Sequence, residues 1–140
     1  MNLTNEEKKN LIERALEARK NAYAPYSEYK VGACLITADG NYYTGCNVEN
    51  ASYGATNCAE RTAVFKAVSE GHNRIDAIAI VGGRDSDGII SYAYPCGVCR
   101  QVLREFSDPG KMIIIVAKKA DDYKEYTLKE LLPDSFGPDF

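Results

Sequence analysis

The sequence predicts an α/β protein in which helices cover both faces of a mixed sheet. The first observation is the order of the predicted elements, α-β-β-α-β-α-β followed by a helical tail. The second is the composition, because 140 residues of which 45% are hydrophobic can form one compact domain with a core. The third is that the sequence contains no repeats, linkers or low-complexity segments. We therefore expect residues 1–140 to form a single domain.

The chain begins with a predicted helix over residues 4–22. Thr4 and Glu7 have the spacing of a capping box, in which each side chain bonds the backbone N–H of the other residue. Apolar residues then recur at helical spacing, and Pro25 ends the pattern. The apolar stripe consists of Leu11, Ile12, Ala15, Leu16, Ala18, Ala22 and Tyr23. This stripe predicts that one face of the helix packs on the sheet.

A β-hairpin and a loop are predicted next. Residues 30–37 and 42–46 are β-rich runs, and the intervening Ala38-Asp39-Gly40-Asn41 has the composition of a tight hairpin turn. The segment 47–56 is polar and rich in small residues, so it predicts a loop.

The middle of the chain predicts a helix, a buried strand and an irregular segment. Residues 58–70 have an apolar face at helical spacing, and Gly71 follows as a helix-ending residue. Residues 75–81 form a short apolar run typical of a buried strand, which Gly82-Gly83 is expected to end. Residues 84–94 predict a loop whose shape the sequence does not define.

The last third predicts a helix, a strand and a short final helix. Residues 97–107 are helical in pattern, and residues 112–117 form a second buried strand. Thr127 and Glu130 repeat the capping-box spacing and predict a short helix. The tail 134–140 predicts no regular structure.

Charge and cysteine usage exclude several classes of function. The net charge is −3 and the basic residues are dispersed, which argues against binding to a nucleic-acid backbone. No stretch is apolar enough for a signal peptide or a membrane span, so we expect a cytoplasmic protein without a membrane partner. Its five cysteines are then expected to be reduced. Cys34 and Cys46 lie in strand-like segments and are predicted to be small buried core residues.

Two short motifs place three cysteines and one glutamate at the spacing of a zinc site. Cys58 precedes Glu60 by two residues, and Cys96 and Cys99 form a Cys-x-x-Cys pair at a helix start. Three thiolates leave one tetrahedral position of zinc open to water, and a glutamate that is not a ligand can move protons to and from it. This pattern is the signature of zinc-dependent base deaminases. We predict one zinc ion per chain on the three cysteines, with Glu60 as catalytic proton shuttle.

The alternative interpretation of these motifs is a structural zinc knot. Such a site requires a fourth Cys or His ligand. Cys34, Cys46 and His72 are the only candidates in the sequence, and none belongs to a short ligand-spaced pair. The catalytic interpretation is therefore favoured.

Three thiolates around Zn²⁺ give a net charge of −1, which weakens the acidifying effect of the metal. The N-termini of the two predicted helices offset part of this charge. Arg61 lies one helical turn from Cys58, so its guanidinium could donate a hydrogen bond to a ligand sulfur. The alternative for Arg61 is a surface salt bridge, and its position in the sequence does not choose between the two.

The chain resembles cytidine deaminases of the short type that act on free nucleosides. The resemblance covers nearly the whole sequence and rests on five motifs in order. They are AYAPYSEYKVGA at 22–33, GCNVENASYG at 45–54, NCAERTAVFKAV at 57–68, PCGVCRQVL at 95–103 and LLPDSF at 131–136. The resemblance implies a three-layer α/β/α sandwich with a mixed sheet of about five strands. It also implies hydrolytic deamination of cytidine and 2'-deoxycytidine.

The same resemblance assigns substrate contacts. Asn47 and Glu49 are expected to bind the ribose 3'-hydroxyl, to which an amide and a carboxylate can donate and accept hydrogen bonds. Ala51 and Tyr53 are expected to contact the sugar in a neighbouring subunit. Phe136 is expected to reach into a neighbour and stack on the base. The chain would then be a homotetramer whose active sites are shared between subunits.

Two positions depart from the family pattern. Tyr29 replaces a phenylalanine that lines the base pocket, and its added hydroxyl needs a partner if it is buried. The segment before Pro95 reads Ser91-Tyr-Ala-Tyr94, where the family commonly has serine directly before the proline.

Three other functions share parts of these motifs. A deaminase of antibiotic nucleosides such as blasticidin has the zinc motif, but the intact Asn47-Val-Glu49 suits an ordinary ribose. A nucleic-acid-editing deaminase would need a basic, aromatic-lined groove. A non-catalytic zinc module would not need Glu60.

Overall fold

The computed structural model describes residues 3–139. Its regular elements are four α-helices and five strands within these residues. They are α1 Asn5–Arg19, β1 Tyr29–Thr37, β2 Tyr42–Cys46, α2 Ala59–Ser69, β3 Ile75–Arg84, α3 Gly97–Glu105, β4 Ile113–Lys119, β5 Asp122–Thr127 and α4 Leu128–Leu131. A short 3₁₀ helix at Tyr53–Ala55 interrupts the predicted loop between β2 and α2.

The strands form one mixed sheet in the order β2-β1-β3-β4-β5. The β1 strand pairs antiparallel with β2 and with β3, β3 and β4 run parallel, and β5 pairs antiparallel with β4. A parallel neighbour requires a crossover, and α3 supplies it between β3 and β4. The predicted α/β class with about five strands is confirmed.

Helices cover both faces of the sheet. Leu11 and Ile12 of α1 pack with Ile36 on one face, whereas Val64 of α2 packs with Leu35 on the other. Leu35 and Ile36 are neighbours in β1, and successive strand residues point to opposite faces. All these side chains are almost fully buried. The predicted three-layer α/β/α arrangement is therefore confirmed.

The helix α1 ends at Arg19, not at residue 22 as predicted. The backbone N–H of Tyr23 donates to Asn47, and Tyr23 accepts from Glu49, so this residue pairs with the loop after β2. Tyr23 is exposed and does not belong to the buried stripe. A tertiary backbone contact has replaced the last helical turn that the apolar pattern favoured.

Strand β5 is missing from the sequence-based assignment, which identified individually only four strands. It forms a regular ladder with β4, but its sequence DYKEYT carries charges at three of six positions. As an edge strand it has one neighbour only, so long-range pairing stabilises it although its sequence lacks an apolar run.

Strand β3 continues through Gly82 and Gly83, where the sequence predicted its end. Both glycines pair with the start of β1, which begins at Tyr29. A Cβ added to Gly82 would lie 2.9 Å from a ring carbon of Tyr29, which is closer than side chains approach. The glycine therefore allows close packing inside a strand and does not end it.

The other boundaries agree with prediction to within one or two residues, the usual uncertainty of helix and strand ends. Both predicted capping boxes form, at Thr4–Glu7 and Thr127–Glu130. Gly71 follows α2 with a left-handed φ of 93°. Within residues 3–139, no helix combines the length and the apolar character needed to cross a bilayer.

Candidate active site

The three cysteines of the predicted zinc site meet where two helices begin. Cys58 is the N-cap residue of α2, Cys96 is the N-cap residue of α3, and Cys99 lies in the first turn of α3. Their Sγ atoms all lie within 4.8 Å of one another. The Cys58 and Cys96 sulfurs are 3.9 Å apart. The positive ends of two helix dipoles thus point at one sulfur cluster.

This cluster fits a zinc ion. Tetrahedral Zn²⁺ with Zn–S bonds of about 2.3 Å separates its sulfur ligands by about 3.8 Å, close to the observed spacing. The cluster contains three residues in the part of the chain that the structure describes. Cys34 lies buried elsewhere in the sheet and His72 bonds Asp39, so neither serves as a fourth ligand. Three ligands are typical of a catalytic zinc site.

Hydrogen bonds within the cluster favour negative charge on sulfur. The pKa of Cys58 is lowered to about 5, first by the hydrogen bond from Cys99 and then, against the opposing effect of burial, by Arg61. The pKa of Cys99 is raised, because its proton is held by Cys58 and because the residue is buried. These opposite pKa shifts mean that Cys99 keeps its proton and shares it with the thiolate of Cys58. The thiolate is the form of cysteine that binds metals.

The guanidinium of Arg61 contacts this cluster. Its Nη2 donates to the Sγ of Cys58 at 3.2 Å. Its Nε is buried and finds no acceptor among residues 3–139. An unpaired buried donor beside sulfurs is consistent with a cluster that carries negative charge. The structure thus places Arg61 on a ligand sulfur and not in the surface salt bridge considered as the alternative.

Glu60 lies in the first turn of α2 and is only 4% exposed. Burial raises the pKa of its carboxyl group to about 7, and the nearby negative charge of Cys58 acts in the same direction. A solvated glutamate at a helix start would not be buried in this way. A carboxyl group that titrates near neutral pH is suited to both accept and donate protons.

Glu60 and Cys58 line a cavity of about 480 Å³. Tyr29 at the start of β1 also lines it, as do Asn47 and Glu49 in the loop after β2. Cavities of this size accommodate small ligands, typically in the range of about 300–1,000 Å³. Cys96 lines it too, so the structure brings six predicted site residues to one cavity, which is large enough for a nucleoside.

Backbone contacts fix the amide of Asn47. Its Oδ1 accepts from the Val31 N–H at 2.8 Å, and its Nδ2 donates to the Tyr29 carbonyl at 2.8 Å. Asn47 is 91% buried. A primary amide has two donors and two acceptor lone pairs, so one of each remains after these bonds. The side chain is therefore oriented before any ligand arrives.

The carboxylate of Glu49 is bound by a turn before β1. Ser27 donates through its Oγ at 2.5 Å and through its N–H at 3.1 Å, and the Tyr26 N–H donates at 3.0 Å. These bonds lower the pKa of Glu49, with the Ser27 hydroxyl as the largest cause. Glu49 is therefore ionised at neutral pH and available as a hydrogen-bond acceptor. Sequence reasoning did not assign Ser27, since a serine in a turn gives no signal for a contact 22 positions away.

The remaining predicted contacts lie outside this cavity. Tyr53 and Phe136 are each 79% exposed, and Ala51 is exposed as well. The exposed ring of Phe136 therefore does not anchor the tail in the core of its own chain. Arg104 of α3 holds the tail instead, donating to Ser135 at 3.0 Å and to the Pro138 carbonyl at 2.6 Å.

The prediction that Cys46 is a buried core residue is wrong. The sequence predicted both non-ligand cysteines as buried core residues. Cys34 is fully buried, but Cys46 is only half-buried, because it ends the edge strand β2. Burial raises the pKa of both thiols.

A three-thiolate zinc site with a buried glutamate, open to a cavity of nucleoside size, belongs to the zinc-dependent base deaminases. Comparison with known proteins narrows this class. Residues 5–116 match the family model of the cytidine and deoxycytidylate deaminase zinc-binding region, and the chain belongs to this family. It is therefore a zinc-dependent hydrolase, and Cys58, Cys96 and Cys99 are positioned to bind the metal.

Relatives match nearly the full length of the chain. Cytidine deaminase from Sporosarcina psychrophila is 48% identical over 126 residues, which span 90% of this chain and 88% of that protein. Cytidine deaminase from Halalkalibacterium halodurans is also 48% identical over 126 residues, with 90% and 91% covered. A crystal structure of cytidine deaminase from Burkholderia pseudomallei has a TM-score of 0.81 and 46% identity, covering 91% of this chain and 97% of that one.

Proposed function

We propose that this chain catalyses the hydrolytic deamination of cytidine and 2'-deoxycytidine to uridine and 2'-deoxyuridine. The observation that carries the proposal is the buried carboxyl group of Glu60 beside the sulfur of Cys58 in a cavity of nucleoside size. Deamination needs a group that accepts and donates protons near neutral pH at the reacting carbon. The relatives described above are named cytidine deaminases, which supports the choice of base.

Zinc bound by Cys58, Cys96 and Cys99 would supply Lewis-acid chemistry that activates water at neutral pH. Glu60 would carry out the proton transfers. Its carboxylate accepts one proton from water and delivers it to the ring nitrogen of the base. It then accepts the second proton of the same water, from the hydroxyl group now on the ring carbon, and delivers that proton to the departing amine. One water is consumed and one ammonia is released, so Glu60 ends each cycle in its starting state.

Arg61 would adjust the charge of the metal ligands. A hydrogen bond from a guanidinium withdraws electron density from the sulfur of Cys58. This lowers the negative charge that three thiolates impose on the metal and so helps it to acidify water. The N-termini of α2 and α3 act in the same direction.

Asn47 and Glu49 would bind the 3'-hydroxyl of the sugar. Glu49 is an ionised acceptor held by Ser27, and Asn47 retains one donor and one acceptor at the cavity wall. A site that pairs with a hydroxyl discriminates strongly against ligands that lack it. Free cytosine would therefore be a poor substrate. Tyr29 would line the base pocket.

The chain would act as a homotetramer in which neighbouring subunits complete each site. Ala51 and Tyr53 would contact the sugar bound by a neighbour, and Phe136 would stack on its base. The exposure of all three side chains supports this assignment, since closed symmetric assembly buries such residues. We further propose that residues 1–140 are one catalytic domain that works in the cytoplasm in pyrimidine salvage, without nucleic-acid or membrane partners.

A substrate panel tests the proposed function. Purified zinc-loaded protein is incubated with cytidine, 2'-deoxycytidine, cytosine, dCMP or blasticidin S, and the products are followed by ultraviolet absorbance and chromatography. We expect the two nucleosides to be deaminated and cytosine to be nearly inert. Turnover of blasticidin S with no turnover of cytidine would favour the antibiotic-nucleoside alternative and contradict the proposal.

A further inference from the structure

The segment before the second metal-ligand motif brings two tyrosines to the cavity that contains Glu60. Tyr92 and Tyr94 line this cavity together with Cys96. Tyr92 packs against the core cluster below α2 and α3, whereas Tyr94 keeps 44% of its surface exposed. Neither residue has a part in the metal site or in the proposed sugar contacts.

Both tyrosine hydroxyls bind the same face of β5. Tyr92 donates to the carboxylate of Asp122 at 2.5 Å. The hydroxyls of Tyr94 and Tyr126 lie 3.0 Å apart. Residues 122 and 126 are an even number of positions apart on one strand, so their side chains point to the same side of the sheet. Two polar contacts therefore hold the segment to the sheet edge.

The tyrosine rings are held as well as their hydroxyls. The ammonium groups of Lys118 and Lys124 lie 4.7 and 4.8 Å from the ring centre of Tyr92, within the range of cation–π attraction. The rings of Tyr94 and Tyr126 meet edge to face with centres 5.8 Å apart. This geometry is favourable for aromatic pairs. The segment is thus fixed in orientation as well as in position.

Gly82 lies close to both this segment and Tyr29. A Cβ placed on Gly82 would lie 2.9 Å from the Cβ of Ala93 and 2.9 Å from a ring carbon of Tyr29. Ala93 lies between the two tyrosines in sequence and lines the same cavity. Tyr29 and Ala93 therefore both pack closely on Gly82, and both line the cavity.

We propose that Tyr92 and Tyr94 are specificity-determining residues that contact the planar pyrimidine base, and that Asp122 and Tyr126 are positioning residues acting through them. This inference rests on the proposed deamination. The carbon that loses ammonia must approach Cys58 and Glu60, so the base occupies the end of the cavity near the metal ligands. Tyr94 lies two positions before Cys96 in the chain, and both tyrosines line the cavity together with Cys96, Cys58 and Glu60. Aromatic rings suit contact with a planar heterocycle.

A double-mutant cycle on the hydroxyl pair tests the inference. Tyr94→Phe, Tyr126→Phe and the double variant are assayed with cytidine. We expect each single change to raise KM about threefold to tenfold, the effect of losing one hydrogen bond, while kcat changes less than about twofold. The double variant should be no worse than either single variant, because both remove the same bond. Tyr123→Phe is the matched control, since Tyr123 packs on the α1 face of the same strand.

A second variant tests the contribution of the Tyr94 ring itself. Tyr94→Ala removes the ring and should raise KM more than Tyr94→Phe, with zinc content and melting temperature close to those of the Tyr123→Phe control. An unchanged KM in Tyr94→Ala, or additive effects in the cycle, would overturn the assignment. A Tyr94→Ala variant in which kcat, zinc content and melting temperature all fall together would also overturn it, because that result indicates a structural role. A wild-type protein inactive on cytidine would instead refute the proposed function itself.

Discussion

The guanidinium of Arg61 donates a hydrogen bond to the sulfur of Cys58 over 3.2 Å. The two residues are neighbours on the first turn of α2, because Cys58 is its N-cap and Arg61 follows three positions later. A cation is thereby attached to the cluster in which three thiolates would otherwise accumulate negative charge. Arg61 is always protonated, so this contact persists at all physiological pH values.

Replacing Arg61 by alanine should slow turnover more than it weakens substrate binding. We expect kcat to fall about tenfold to a hundredfold, the usual effect of removing a group that bonds a metal ligand, with KM close to that of the wild type. Arg14→Ala is a suitable control, because this arginine of α1 lies over the ring of Tyr42 in β2, outside the sulfur cluster. An unchanged kcat across neutral pH would show that the helix dipoles suffice.

Removing one ligand should abolish stable zinc binding. Cys99→Ala leaves two sulfurs, so metal analysis after dialysis should give well under one zinc per chain, against one in the wild type. Cys46→Ala is the matched control, because this thiol is half-buried and outside the cluster. Full zinc occupancy in Cys99→Ala would contradict the ligand assignment.

The two sugar-binding candidates should respond differently to substitution. Glu49→Gln should raise KM for cytidine with little effect on stability, because its partners lie in an exposed turn. Asn47→Ala should also lower the free energy of unfolding by about 1–3 kcal/mol, since it leaves backbone groups of Val31 and Tyr29 unpaired. Steady-state kinetics and urea unfolding measure the two effects. An unchanged KM in Glu49→Gln would exclude the proposed sugar contact.

Mixed tetramers test whether active sites are shared. Glu60→Ala subunits lack the proton shuttle, and Phe136→Ala subunits lack the aromatic ring offered to a neighbour. Each variant alone should be inactive or severely impaired, and mixing them should restore part of the activity, because some sites then combine an intact Glu60 with an intact Phe136. Light scattering verifies the assembly. Confirmed mixed tetramers with no regained activity would rule out the shared site.

Local sequence patterns predicted most of the fold. Helix α2 was predictable because its apolar face, its polar start and Gly71 all agree. Strand β5 was not predictable, because pairing with β4 stabilises it although three of its six residues are charged. Gly82 illustrates the same limit, since its role depends on the ring of Tyr29, a contact between β1 and β3.

The residues of the candidate site likewise differ in whether local sequence or tertiary contacts determine their position. Cys58, Glu60, Cys96 and Cys99 were predictable because metal chemistry fixes their spacing. The partner of Arg61 needed the three-dimensional structure, since its position in sequence suited a sulfur and a surface carboxylate equally. The position of Tyr92 and Tyr94 in the cavity wall was not predicted, because it depends on contacts with β5, a strand absent from the sequence-based assignment.

The most direct measurement is a comparison of wild-type protein with Glu60→Gln, both shown to contain one zinc per chain. Uridine and ammonia formed from cytidine are quantified over time. The wild type should produce them in equal amounts, and Glu60→Gln should be at least about a hundredfold slower, the lower end for loss of general acid–base catalysis. Near-normal turnover by zinc-loaded Glu60→Gln would contradict a mechanism in which Glu60 moves the protons.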